Sequence, residues 1–115
     1  PAKCFSGEVK TVPFGKVEIE KTSYCTNENG SELLSKSCLE SAGCMALRSK
    51  GSLSKKDIDK SPVGTPGFSL CTQLKADGQI IEFTLPDGKW VKLDRCFFID
   101  GSFIDVGSLM EITYK

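Results

Sequence analysis

Residues 66–110, PGFSLCTQLKADGQIIEFTLPDGKWVKLDRCFFIDGSFIDVGSLM, hold the signals that decide the fold. Thr65-Pro66 reads as an N-cap followed by a first helical proline, and Phe68, Leu70, Cys71 and Leu74 then share one helical face, with Asp77-Gly78 as the stop. Ile81, Phe83 and Leu85 alternate up to Pro86-Asp87-Gly88, a three-residue hairpin loop, and meet Val91 and Leu93 on the returning strand. Asp100-Gly101 marks a second, two-residue turn that folds Cys96–Ile99 against Ser102–Asp105. After Arg95 both faces of the strand are apolar, Phe97 and Ile99 on one and Cys96 and Phe98 on the other, which places it centrally in a sheet. A bridge from Cys71 to Cys96 would clamp the helix against that strand and contribute on the order of 3 kcal/mol in the chain-entropy account.

Working outward, the 115 residues suit one domain, 1–115, divided into a hairpin and helix (1–49), a loop (50–65), and a helix with two hairpins (66–115). The expected fold class is α+β: a small disulfide-stapled domain of antiparallel hairpins packed with two short helices. Apolar residues make up 39% and charged residues 26%, far from the composition of disordered chains. Fifteen basic residues balance fifteen acidic ones, which disfavours nucleic acid and anionic membranes as partners. No apolar run reaches the roughly 20 residues a transmembrane helix needs.

The six cysteines, Cys4, Cys25, Cys38, Cys44, Cys71 and Cys96, are even in number, and the chain has no histidine. No two cysteines stand at the short spacing of a structural zinc site, so disulfides are favoured over metal and no cofactor is expected. Disulfides imply an oxidising compartment, hence a secreted or periplasmic protein, with Pro1-Ala2-Lys3 read as the start of a processed form.

Upstream, Val9 and Thr11 alternate on one side of Pro13-Phe14-Gly15, and Val17 and Ile19 on the other. A three-residue loop there sets Val9 opposite Ile19 and Cys4 opposite Tyr24, which makes Cys4–Cys25 the least favoured bridge. Connectivity among Cys4, Cys25, Cys38 and Cys44 stays open. Asn29-Gly30 is a turn, and Asn29-Gly30-Ser31 also has the form of a glycosylation acceptor, for which the plain turn is the preferred reading. A helix is predicted over about 38–49, with Ser31–Leu34 as an alternative third strand. The loop 50–65, with Leu53 and Ile58 among its few apolar residues, is a candidate for insertion into a partner. Trp90 lies on the face away from Val91 and Leu93; burial is favoured for it, and exposure would make it an interface anchor.

The order Pro66, Cys71, Gly78, Cys96, Phe98, Asp100, Gly101, Ser102 resembles the small hemolysin-labelled domain of bacterial periplasmic proteins and lipoproteins. The match covers residues 65–110, with Thr65 where that family has asparagine and Phe103, Ile104 and Asp105 where it has a further cysteine and tryptophan. It implies an extracytoplasmic bacterial domain of undefined activity.

Catalytic constellations are not legible. Without histidine, Ser-His-Asp and Cys-His systems are impossible. Ser35-Lys36 and Ser54-Lys55 read as exposed, and the carboxylate pairs Glu18/Glu20 and Asp57/Asp59 lack the apolar flanks that raise a carboxyl pKa. The expectation is a non-enzymatic, monomeric interaction module for an unknown protein or surface component. The alternatives are a protease or glycosidase inhibitor using loop 50–65, or a small hydrolase of unfamiliar type.

Overall fold

The computed structural model describes residues 3–41, 43–48, 50–51 and 66–114. In it the Pro86-Asp87-Gly88 loop forms as expected: Leu85 N–H donates to Lys89 O at 2.8 Å and Gly88 takes φ 89°. It joins β4 (Asp77–Thr84) to β5 (Trp90–Phe97), with Phe83 opposite Val91 and Ile81 opposite Leu93. The next turn holds three residues, not two. Phe98 N–H donates to Ser102 O at 2.9 Å, Gly101 supplies the left-handed residue, and Phe97 pairs with Phe103 on β6 (Phe103–Asp105). Ile99 is therefore in the turn and exposed, and the run apolar on both faces ends at Phe98.

The first hairpin departs further. β1 (Lys3–Thr11) and β2 (Glu18–Thr26) are joined through Val12–Val17, and the register is one residue away from the expected one. The cause is local. Pro13–Gly15 form a 3-10 turn in which Phe14 (φ 53°) and Gly15 (φ 79°) are both left-handed, closed by Lys16 N–H to Pro13 O at 3.0 Å. Val9 now faces Glu20, and Cys4 faces Cys25. The Cys4–Cys25 bridge, least favoured from the sequence, is formed, with the two Cα atoms 3.9 Å apart. Val17 and Ile19 lose their inward positions and are exposed.

β3 (Leu33–Ser35), the alternative third strand, pairs with β2 through Tyr24–Ser35 and with β6 through Leu34–Ile104. The six strands close into an antiparallel barrel in the order β1-β2-β3-β6-β5-β4. The expected α+β mixture is thus only half the description: strands dominate, and the helices dress the outside of a barrel. Alternation along the strands makes two cores. Val9, Tyr24, Leu33, Ile81, Phe83 and Phe103 fill the barrel. Leu70, Cys71, Cys96, Phe98, Ile104 and Leu109 form a second core outside it.

A single helix expected over 38–49 is two four-residue pieces, α1 (Ser37–Glu40) and α2 (Met45–Arg48), broken where Ser41 turns extended (φ −140°, ψ 119°) and tied by Cys38–Cys44. α3 (Pro66–Gln73) stops sooner than predicted, because Lys75 goes left-handed (φ 62°) and Ala76 N–H donates back to Cys71 O at 2.8 Å. Asp77-Gly78 instead open β4. Gly78 is needed there: a Cβ would lie 2.6 Å from the Phe68 ring. Cys71–Cys96 joins α3 to β5 as expected, at a Cα separation of 5.3 Å. α4 (Val106–Thr113) is an element the sequence reading missed. Asp105, buried at the end of β6, caps it by accepting from Ser108 N–H at 2.8 Å, while its other oxygen accepts from Leu33 N–H at 2.8 Å.

Barrel closure rests on a narrow seam. β1 and β4 pair only through Val9–Phe83 and Lys10–Glu82. Tyr24, on β2, passes over Gly7 of β1 and donates its hydroxyl proton to Thr84 O of β4 at 2.6 Å, with Thr84 Oγ1 at 3.0 Å. Glu8 N–H donates to that same Oγ1 at 3.1 Å. Any side chain at Gly7 would collide with the tyrosine hydroxyl.

Two outcomes are expected. Asp105→Ala orphans the Leu33 and Ser108 amides and lowers stability in urea titration by about 2–4 kcal/mol, with Asp105→Asn intermediate. Burial raises the Tyr24 pKa above its ordinary 10.0, with hydrogen bonds to Thr84 opposing. The tyrosine's contribution is complete below pH 10 and lost as pH rises through the folded-state value. Tyr24→Phe costs about 1–2 kcal/mol at neutral pH and shows a shallower loss of stability above pH 10 than the parent.

Candidate functional site

Pairing of β1 with β4 ends at Lys10–Glu82, and among the described residues Gln79–Ile81 have no strand partner on that side. Beyond that pair a cleft of about 950 Å³ lies between the far end of the β1–β2 hairpin and the first half of β4. Val12 and Ile19 line the hairpin wall, Ile80 and Ile81 the β4 wall, and Phe68 of α3 one end. Phe14, at the hairpin tip beyond, is fully exposed. It holds a left-handed conformation that costs a non-glycine residue about 1 kcal/mol.

Arg95 forms part of this cleft although only 4% of its surface is exposed. The β5 alternation that turns Val91 and Leu93 into the barrel turns Arg95 inward too, opposite Gln79 on β4 and Asp105 on β6. Its Nε–H donates to Gln79 Oε1 at 2.9 Å. The guanidinium carbon lies 4.8 Å from the Phe97 ring centre and 4.6 Å from that of Phe103, two rings stacked 6.2 Å apart. This is cation–π support for a desolvated charge. Among the described residues no ion pair joins it to Asp105, whose two oxygens accept from backbone amides.

The two terminal nitrogens of Arg95 make no hydrogen bond among the described residues, and no sealed side-chain nitrogen or oxygen lacks a partner. They therefore meet solvent in the cleft. Burial pushes the Arg95 pKa down to about 10, against the pull of Glu20 and Asp77, so the group is a cation at neutral pH. Because the folded-state value is the lower one, the cost of burying this charge is present throughout the pH range below about 10. Around the mouth stand the carboxylates of Glu18, Glu20, Asp77 and Glu82, against Lys10 and Lys92. Lys10 lies over the Trp90 ring, 4.7 Å from its centre.

The residues singled out from sequence are elsewhere. Trp90 is 40% exposed on the outer face of the barrel, so the favoured burial does not hold, and it does not line the cleft. Its neighbour across the ladder is Thr84. Leu53, Ile58 and most of loop 50–65 lie outside the described residues. All six cysteines are paired, as Cys4–Cys25, Cys38–Cys44 and Cys71–Cys96. Sequence reasoning missed Arg95. The signal that would have found it is the arginine in an inward-facing series, Val91, Leu93, Arg95, Phe97.

Among the described residues no group of His, Cys, Asp and Glu side chains is placed to hold a metal ion, and no helix is long and apolar enough to cross a membrane. No protein-family model, curated protein or solved structure matches the chain.

A buried cation with one direct hydrogen bond is costly to the fold. Replacing it with an apolar side chain of similar length removes that cost. Arg95→Met raises unfolding free energy by about 1 kcal/mol in chemical denaturation, whereas a residue kept for structure would show a loss.

Proposed function

We propose that this protein is a non-enzymatic binding module of an oxidising, extracytoplasmic compartment, which holds its partner in the cleft between the β1–β2 hairpin and β4. The observation that carries this reading is Arg95: a guanidinium 4% exposed, with its terminal nitrogens uncommitted and turned to a cleft of about 950 Å³. Proteins retain destabilising groups where a ligand repays the cost. A guanidinium presents two parallel N–H donors, the geometry that pairs with a carboxylate. The cleft is within the size range of small-ligand and peptide sites, with apolar walls and few convergent polar groups. Three disulfides around a barrel of this size support a secreted or periplasmic setting, where such bonds persist. The resemblance of residues 65–110 to the hemolysin-labelled periplasmic domains points the same way.

The test is an NMR titration of the intact oxidised protein with succinate. Saturable shifts at the Arg95 Nε–H and at the Gly78–Ile81 amides at millimolar concentration, absent in Arg95→Met, are the expected result. Shifts that do not saturate, or that persist unchanged in the variant, overturn it.

A further inference from the structure

The cleft has a second property that a pocket for a small anion does not need. Along β4, from Asp77 to Ile81, the ladder is complete toward β5 but, among the described residues, unfilled toward β1, whose pairing stops at Lys10–Glu82. In an antiparallel sheet every other residue of such a strand directs both its N–H and its C=O to the missing neighbour. At about 3.3 Å per residue this free edge is about 16 Å long, and Arg95 sits beside it, one strand away, in register with Gln79. Buried guanidinium and open edge thus face the same space.

Deepening the reading above, on which this rests, we infer that the cleft takes an extended peptide that adds as a strand to the free edge of β4 and places one carboxylate on Arg95. Strand addition supplies affinity through main-chain hydrogen bonds, and pockets for alternate side chains supply selectivity. The carboxylate takes both terminal nitrogens of Arg95 as donors. Charge sets the flanking residues: Glu18, Glu20, Asp77 and Glu82 outnumber the lysines at the mouth, and Lys10 is engaged with Trp90. An acidic group with basic residues on either side therefore fits, whereas a uniformly acidic segment meets repulsion. Apolar side chains between them face Val12, Ile19 and Ile80.

A carboxylate reaches Arg95 either from an acidic side chain or from a chain terminus, and the experiment separates the two. Binding to the oxidised protein is measured calorimetrically for acetyl-Lys-Val-Glu-Val-Lys-amide, for its glutamine counterpart, for a form N-methylated at both valines, and for acetyl-Lys-Val-Lys-Val with a free C-terminal carboxylate. The expected result is that one of the two carboxylate peptides binds roughly tenfold or more tightly than the glutamine peptide. N-methylation removes that binding, and Arg95→Met abolishes the preference for carboxylate over amide. Equal binding of the methylated peptide, equal binding of the glutamine peptide, or no binding by either carboxylate peptide overturns the inference. Succinate shifts that survive such a failure leave the cleft reading intact with a different ligand, and loss of both removes the reading as well.

Discussion

The hydroxyl of Tyr24 decides where this barrel is shut. It reaches from β2 across the backbone of Gly7 to Thr84, so three strands are tied by one side chain at the corner where β1 and β4 first approach. From that corner the two strands run together for only the Val9–Phe83 and Lys10–Glu82 pairs. On the Tyr24 side the interior is filled by Phe5, Phe83 and Leu33, with Tyr24 edge-on to both Phe5 and Phe83. On the other side, among the described residues, no further strand pairing joins the hairpin to β4, and the cleft begins. Closed core and open site are two ends of one seam.

Covalent ties compensate for the division of a small chain into two apolar clusters. Neither cluster is large, and a domain of this size buries too little surface to be stable by a wide margin. Each bridge secures a different join: Cys4–Cys25 the base of the β1–β2 hairpin, Cys38–Cys44 the broken turn between α1 and α2, Cys71–Cys96 the helix α3 on the barrel wall. Asp105 makes a fourth join without sulfur, serving β3 and α4 together. A frame held this way can tolerate a charge in its interior.

What was legible in the sequence follows how local the determining physics is. The β4–β5 hairpin was read correctly, register included, because Pro86-Asp87-Gly88 and the flanking alternation agree. The β1–β2 register was misread from a similar-looking Pro13-Phe14-Gly15, since nothing in the triplet announces that Phe14 turns left-handed and closes the connection as a two-residue turn, Phe14-Gly15, between Pro13 and Lys16. That one-residue slip also hid the Cys4–Cys25 pairing. Closure of the sheet was not legible at all, for it depends on Gly7 lying under Tyr24, a contact between strands that no window of sequence contains. The cleft inherits that difficulty. Arg95 is placed on the inner face by alternation, but its partners there, Gln79 across the ladder and the Phe97 and Phe103 rings, are set by pairings between strands.

An incomplete strand ladder is also a hazard. Exposed main-chain donors and acceptors in a row are a template on which a second copy of the same chain can stack, the first step toward fibrous aggregation. Glu20, Asp77 and Glu82 flank the gap in this protein. Two molecules approaching gap to gap bring these carboxylates face to face, and like charges opposed across a sheet are destabilising. Carboxylates along this edge thereby disfavour one arrangement in particular, the gap-to-gap stacking of two identical chains.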